Sequence, residues 1–139
     1  MTRRVVVTGM GVISPLGHSV EETWGNIKAG KSGVGMITHF DSTNYQVKIA
    51  AEIKDWDATK YMQAKEVRRR DLNEQYSVAA SQEAVKSAGF EVNDSNRQRT
   101  GVYVGSAVGG ISSYYDTANM VFETKDPRRI SPFGIPMLL

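Results

Sequence analysis

Two short runs of β-branched and aromatic residues, each followed by glycines, constrain the possible folds of this chain more than any other feature. The first is Val-Val-Val at 5–7, before Gly9 and Gly11, and the second is Val-Tyr-Val at 102–104, before the glycine-rich segment 105–110. Short apolar runs of this kind are typical of buried strands in a parallel sheet, which end in turns. We therefore predict a buried strand over each run.

Segments with helical signals separate and follow these runs. Ser19 and Glu22 form a capping-box pattern that begins a helix, and Gly30 ends it. From 65 to 88, small and apolar residues recur every four positions, which predicts a long helix packed closely on a sheet or a second helix. A further helix is predicted from 112 to about 124.

The segments between these elements complete the predicted order. Residues 30–35 are expected to form a loop, and 55–62 a single helical turn. Alternation over 47–53 predicts a half-buried strand with its odd-numbered residues on the buried face. The order strand, helix, strand, long helix, strand, helix is that of an α/β fold, and 1–139 has the length of one domain.

Composition excludes several classes of function. The chain has no cysteine, so it has no disulfide, no thiolate metal site and no cysteine nucleophile. His18 and His39 lack metal-ligand spacing, and we expect no metal site. A net charge of +2, from 17 basic and 15 acidic residues, is too small to indicate nucleic acid. No segment approaches the roughly 20 apolar residues of a membrane helix and no targeting signal is recognisable, so a cytoplasmic protein without membrane contact is expected.

Gly9 and Gly11 raise the question of a dinucleotide-binding turn. Such a turn needs a third glycine that opens directly into a helix, so that the pyrophosphate meets the helix N-terminus. Ser14 and Pro15 occupy those positions here, and Pro15 delays the helix. We predict a structural turn and no cofactor. An unrelated nucleotide-binding α/β domain is an alternative that titration with a nicotinamide cofactor would test.

Two clusters of basic residues are candidates for a partner surface. Lys65, Arg68 and Arg69 share one helix face, and Arg128 and Arg129 form a second cluster. The simpler interpretation is a solvated face, and the functional one is a docking site for an acidic protein or a phosphate-bearing ligand. Aromatic residues do not alternate with the basic ones, which argues against single-stranded nucleic acid.

The segment 105–110, which we call the glycine loop, also has two interpretations. Its glycines allow unusual backbone angles and the close approach of another backbone or of a ligand. The simpler interpretation is a bend that lays a helix against the sheet.

Several motifs together resemble one known family. Arg-Arg-Val-Val-Val-Thr-Gly-Met-Gly-Val-Ile-Ser-Pro-Leu-Gly at 3–17 is similar to the N-terminus of the bacterial β-ketoacyl-acyl-carrier-protein synthases, most closely those of type II, the condensing enzymes of fatty-acid elongation. The family's order continues with Lys-Ser-Gly at 31–33, Ile-Thr-His-Phe-Asp at 37–41, Ala-Ala-Glu-Ile at 50–53, Lys-Glu-Val-Arg-Arg at 65–69, Val-Gly-Ser-Ala-Val-Gly-Gly at 104–110 and Pro-Arg-Arg-Ile-Ser-Pro-Phe at 127–133. The likeness covers essentially the whole chain but only the first part of a complete family member.

The resemblance implies a thiolase-like fold, layered αβαβα, of which this chain would supply part of the N-terminal half, and normally a homodimer. It also implies an acyltransferase that performs a decarboxylating Claisen condensation. An acyl group passes from the acyl carrier protein to an active-site cysteine, and malonyl carrier protein then attacks it with loss of CO2. In the family that cysteine and two histidines lie beyond the matching segment. We therefore expect no catalytic residue in 1–139, an inactive chain by itself, and sequence lost after the apolar run 136–139.

The resemblance also implies two sets of site residues. Those that match the family's electropositive patch for the acidic carrier protein are Lys65, Arg68, Arg69, Arg128 and Arg129. Those that match the acyl-chain pocket, or the segment that reaches toward the partner subunit's pocket, are Ala107, Val108, Phe133 and Gly134.

The chain departs from the family pattern at a few positions. Gly134 stands where an aromatic residue is frequent, which would lengthen or loosen the pocket. Arg70, Asn73 and Glu74 replace residues that are more apolar in the family. A non-catalytic partner with the same fold, such as a chain-length factor, is the alternative function. Whether the complete gene encodes the cysteine distinguishes the two.

Overall fold

The computed structural model of the chain describes residues 3–138, which form two compact units. The first contains the described residues up to Asp57 together with Ala79–Glu91, and the second contains Ala58–Val78 and the described residues from Val92 onward. The expectation that sequence is lost after 136–139 concerns Leu139, which lies outside the described residues. Within 3–138, no helix is both long enough and apolar enough to cross a bilayer.

Helix α1, Val20–Lys28, begins and ends where its caps predict. The Ser19 hydroxyl accepts a hydrogen bond from the Glu22 backbone N–H at 3.1 Å. The Glu22 carboxylate reaches back to the backbone N–H of His18 at 2.8 Å, one residue before the position that a capping box uses. Gly30, at φ +67°, ends the helix in the left-handed conformation that glycine adopts without strain. The predicted capping at both ends is confirmed.

The first unit also contains a small antiparallel ribbon. Strand β1, Val34–Met36, pairs with strand β2, Ile49–Ala51, so that Gly35 lies opposite Ala50. The predicted loop at 30–35 therefore ends in a strand, and the strand predicted over 47–53 is confirmed only at its centre. The predicted face was wrong, because Ile49 and Ala51 are exposed whereas Ala50 is half-buried. Among the described residues, no sheet packs on the ribbon's odd-numbered face to cover it.

The apolar runs at 5–7 and 102–104, which we call the valine runs, were both predicted as buried strands, and the structure contradicts this. Val5, Val6 and Val7 are 91%, 61% and 80% exposed, and the residues at 102–104 are exposed as well. A strand requires hydrogen bonds to a neighbouring strand, and within residues 3–138 only β1 and β2 form a sheet. The valine runs therefore present apolar surface and unpaired backbone instead of forming a core.

The long helix predicted over 65–88 is interrupted. Helix α2, Ala64–Val67, is followed by a break and then by helix α3, Leu72–Ala88, which Gly89 ends at φ +59°. The side-chain amide of Gln75 donates to the carbonyl oxygens of Val67 at 3.3 Å and Arg70 at 2.9 Å. The Val67 carbonyl oxygen also accepts the backbone N–H of Arg70 at 3.3 Å, and Gln75 supplies a donor to the Arg70 carbonyl at the break.

The remaining elements belong to the second unit. Helix α4, Ile111–Thr124, confirms the helix predicted from 112, and Lys125 follows it at φ +53°. Helix α5 is Gly134–Leu138 and packs on α4. Short 3-10 turns occupy Ala58–Lys60, where a single turn was predicted, Arg97–Arg99 and Pro127–Arg129.

Glu83 of α3 is hydrogen-bonded to the start of α1, and replacing Glu83 should destabilise the first unit. One carboxylate oxygen accepts the backbone N–H of Val12 at 2.9 Å and the other accepts that of Val20 at 2.8 Å. We expect Glu83→Ala to lower the free energy of unfolding by about 2–3 kcal/mol, since bonds to a charged acceptor are lost and two donors lose their partner. Urea unfolding of the complete gene product measures this. Glu123→Ala, on α4 and exposed, is the control, and an equal loss there would contradict the assignment.

Candidate functional site

Every residue that the sequence assigned to a site lies in the second unit. The basic residues lie on α2, in the break that follows it and in the turn Pro127–Arg129. The proposed pocket residues lie in the glycine loop and at the start of α5. The structure thus groups within one unit two sets of residues that are separated by up to half of the chain.

The glycine loop and α5 are in direct backbone contact. A Cβ atom added to Gly109 would overlap the carbonyl oxygen of Leu138, and one added to Gly110 would overlap that of Met137. Gly109 also has φ +71°, which disfavours any other residue. The close approach of another backbone, one of the uses predicted for these glycines, is therefore confirmed, and the backbone in question is that of α5.

Asp71 holds the glycine loop from the other side. Its carboxylate accepts hydrogen bonds from the backbone N–H of Ser113, at 3.1 Å, and from the Ser113 hydroxyl. Ser113 lies in the first turn of α4, where backbone N–H groups have no helical partner and a negative charge is favourable. Asp71 is 9% exposed, and its Cβ lies 2.9 Å from the position of a Cβ on Gly110. The start of α3 and the start of α4 are therefore joined at the loop.

The proposed pocket residues do not enclose a cavity among themselves. Val108 is 64% exposed and Ala107 is exposed as well, whereas Phe133 and Gly134 are half-buried. A cavity of about 350 Å³ lies nearby, lined by Arg70, Asn73, Glu74, Ser77, Val78, Val104, Ser106 and Pro136. It includes none of the residues predicted to bind substrate, although Ser106 is in the glycine loop.

Three of the four residues that depart from the family pattern, Arg70, Asn73 and Glu74, line the cavity, whereas Gly134 does not. The Arg70 guanidinium pairs with Glu66 at 3.2 Å and with Glu74 at 3.1 Å. The side-chain oxygen Oδ1 of Asn73 and the second carboxylate oxygen of Glu74 are buried, and neither has a hydrogen-bond partner among residues 3–138. Positions 70, 73 and 74 have the spacing of one face of the predicted long helix. In the structure Arg70 lies before α3, and the three residues meet at the cavity.

Ion pairing divides the predicted basic residues into two groups. Arg128 donates to the Asp126 carboxylate at 2.9 Å and 3.2 Å. These side-chain bonds, together with the Arg128 backbone N–H, hold the pKa of Asp126 below its usual value, and the same pair raises the pKa of Arg128. Within the described part of the chain, Lys65, Arg68 and Arg129 form no ion pair. Their charges are available to an external anion.

Arg69 is held differently from the other basic residues. Its guanidinium carbon lies 4.7 Å from the centroid of the Phe133 ring. Its ion pair with Glu66 is long, at 4.0 Å. Arg69 thus connects the predicted docking residues with the predicted pocket segment, a contact that neither pattern in the sequence indicated.

The described residues contain no group of three or more histidine, cysteine, aspartate or glutamate side chains that could hold a metal ion. The first unit has an open apolar cleft of about 700 Å³ between α1 and the segment 9–12, lined by Trp24, Ile27 and Ala84 among others. None of the predicted site residues lines this cleft.

Comparison with known proteins identifies the chain's relatives. Residues 2–138 match the family described as "Beta-ketoacyl synthase, N-terminal domain". The chain is 44% identical over 134 residues to a 3-oxoacyl-[acyl-carrier-protein] synthase 2 of Vibrio cholerae, covering 96% of this chain and 32% of that protein. It is 42% identical over 137 residues to a protein of the same name in Staphylococcus aureus, covering 99% of this chain and 33% of that protein. The chain therefore spans about a third of the length of these curated relatives.

Solved structures show the same fold. The chain superposes with a TM-score of 0.80 on a structure titled "The ishigamide ketosynthase/chain length factor", at 28% identity, covering all of this chain and 34% of the other. It superposes with a TM-score of 0.76 on a β-ketoacyl synthase from Burkholderia phymatum, at 24% identity and covering 34% of that chain. The α/β, thiolase-like fold class expected from the sequence is confirmed.

Proposed function

The chain belongs to the β-ketoacyl synthase family, and we propose that it is part of a 3-oxoacyl-acyl-carrier-protein synthase of type II that elongates acyl chains. The observation that carries the proposal is the identity of 44% with a protein of that name, spread over 96% of this chain. The predicted docking residues and the predicted pocket residues lie in the same unit, which is consistent with one functional site.

The proposed reaction has two steps. A cysteine thiolate attacks the acyl thioester of the carrier protein, so that a new C–S bond forms, the C–S bond to the carrier breaks, and the carrier's thiolate leaves. Malonyl carrier protein then loses CO2, and the resulting carbanion attacks the enzyme's thioester, forming a C–C bond and releasing the cysteine. Since residues 1–139 contain no cysteine, the nucleophile must come from outside them, and we expect these residues alone to be inactive.

We propose that the chain's own contribution to binding is the docking of the acidic carrier protein. Lys65, Arg68 and Arg129 supply charges that no described carboxylate neutralises, and Arg69 and Arg128 extend the same set. Charge complementarity of this kind raises the association rate and fixes the orientation of the complex, and it weakens as salt is added.

Charge reversal tests this docking. We expect Lys65→Glu, Arg68→Glu and Arg69→Glu together in the complete gene product to weaken binding of acyl carrier protein by about tenfold or more at low salt. The control replaces Lys31, Lys48 and Lys54 of the first unit with glutamate, which makes the same change in net charge. Calorimetric titration at low and high salt measures both, and unchanged affinity in the first variant would remove the docking assignment.

We also propose that Ala107, Val108, Phe133 and Gly134 lie at the acyl-chain pocket of the complete enzyme. This proposal rests on the match of these positions to the family's pocket. The exposed runs at 5–7 and 102–104 support a larger enzyme, because exposed valines with unpaired backbone fit strands that pair with others of a larger sheet. A homodimer in the cytoplasm is proposed from the likeness to 3-oxoacyl-[acyl-carrier-protein] synthase 2. Light scattering of the complete gene product tests the dimer.

A non-catalytic partner with the same fold is the second candidate. It is favoured by the TM-score of 0.80 against a structure whose title includes a chain length factor. Sequencing the complete gene decides between the two: an encoded active-site cysteine and condensing activity with malonyl and acyl carrier proteins favour the enzyme.

A further inference from the structure

The Arg69 side chain lies against the ring of Phe133. The guanidinium carbon lies over the ring, 4.7 Å from its centroid. The competing carboxylate, Glu66, is 4.0 Å from Arg69 but 3.2 Å from Arg70, so its stronger pair is with Arg70. The ring is therefore a contact of Arg69 that Arg70 does not share, unlike the carboxylate of Glu66.

We propose that Phe133 is a positioning residue for docking, whose ring orients Arg69 toward a carboxylate of the acidic carrier protein. A guanidinium that lies over an aromatic face keeps its N–H donors in its own plane, where a carboxylate can accept two of them. The ring also reduces the rotamer freedom that a long side chain loses when it binds. This inference rests on the proposed carrier-protein function.

The position of Phe133 is itself fixed by contacts that do not involve Arg69. Its backbone N–H donates to the Ser131 hydroxyl at 3.2 Å, and its carbonyl oxygen accepts the N–H of Met137 in α5 at 2.9 Å. The far end of α5 lies on Gly109 and Gly110 of the glycine loop. The ring is thus held by a segment that extends to the proposed pocket.

A consequence is that docking and the pocket segment are linked energetically. If the ring orients Arg69 for the carrier, then a bound carrier must by the same coupling restrain the ring, because linkage between two binding events is reciprocal. Arg69 connects the docking residues to α5, because it contacts Phe133, whose carbonyl oxygen is bonded to Met137.

A double-mutant cycle in the complete gene product tests the inference, with holo acyl carrier protein as the probe. We expect Phe133→Leu to weaken binding about threefold, the value of one partly exposed cation–π contact, and Phe133→Trp to preserve or tighten it. In an Arg69→Met background, Phe133→Leu should have no further effect. A structural role for Phe133 alone would leave the loss present in both backgrounds.

Phe122→Leu is the matched control. Lys125 lies 3.9 Å from the centroid of the Phe122 ring, so this variant removes a cation–π contact from the same unit without touching Arg69. Affinity should not change. A loss equal to that of Phe133→Leu would overturn the proposal, as would independent, multiplying effects of Phe133→Leu and Arg69→Met.

A further double variant separates failure of this inference from failure of the proposed function. Lys65→Glu with Arg68→Glu leaves the cycle intact and reports on docking itself. If that pair weakens binding while the cycle shows no coupling, only the positioning role is lost; if it does not, the docking function is wrong. Should Phe133→Leu unfold, Arg69→Lys replaces it, because it keeps the charge but loses the planar fork. It should then cost the same factor of about three, and unchanged affinity would overturn the proposal.

Discussion

Gly110→Ala should cost the second unit about 3 kcal/mol of stability, because the added methyl group has no space. Its Cβ would overlap the carbonyl oxygen of Met137 in α5 and would lie 2.9 Å from both Cβ and Oδ2 of Asp71. Backbone and a buried carboxylate must move together, and Asp71 cannot move without loosening its bonds to Ser113 at the start of α4. Thermal unfolding of the complete gene product measures the loss.

Gly105→Ala provides the control within the same loop. No atom lies within 4 Å of a Cβ at Gly105, and its φ is not positive. We expect its stability to match that of the unchanged protein within about 0.5 kcal/mol. If the two variants were equally stable, the contact between the glycine loop and α5 would not hold in solution, and the proposed connection from Phe133 to the pocket would lose its basis.

Gly11→Ala is expected to be at least as damaging in the first unit, again by about 3 kcal/mol. Its Cβ would overlap the carbonyl oxygen of Ala80 and lie 2.8 Å from the backbone nitrogen of Ala84. The obstacle is the backbone of α3, which cannot yield as a flexible side chain can. The segment 9–11 lies directly on this helix, so the substitution separates the segment from α3.

Gly25→Ala is the matched control for this effect. Gly25 lies inside α1, and nothing is within 4 Å of its Cβ position. Alanine is the better helix former, so this change should stabilise the protein by about 0.5–1 kcal/mol. Opposite signs for the two substitutions in urea unfolding would confirm that steric contact, rather than glycine content, decides the outcome. A loss at both positions would contradict it.

The sequence predicted local structure well where the physical cause is local. The caps of α1, the glycine that ends α3 and the extent of α4 all depend on interactions within one or two helical turns. The turn predicted at Gly9 and Gly11 is not found there, and the chain turns instead at 15–16, between the bridged residues Ser14 and Gly17. The reason for these glycines, the backbone of α3, could not be found because that helix is distant in sequence.

Predictions that required a distant partner were less successful. The valine runs at 5–7 and 102–104 have the composition of buried strands, yet neither has a partner strand among the described residues. The helix expected over 65–88 breaks between α2 and α3, where the Gln75 side chain donates to the carbonyl oxygens of Val67 and Arg70. The apolar pattern of a segment does not show whether a partner strand or a hydrogen bond of this kind is present.

The candidate site shows the same division. Sequence alone determined the family motifs, the positions of the basic residues and the glycines of the loop. The pair of Arg128 with Asp126 is local, since the two residues are two positions apart. Only the tertiary structure decided that Lys65 and Arg68 have no described ion pair and that Arg69 lies over Phe133. The physical reason is that a charge or a ring acts over a few ångströms, and which groups come that close is set by packing between segments that the sequence keeps far apart.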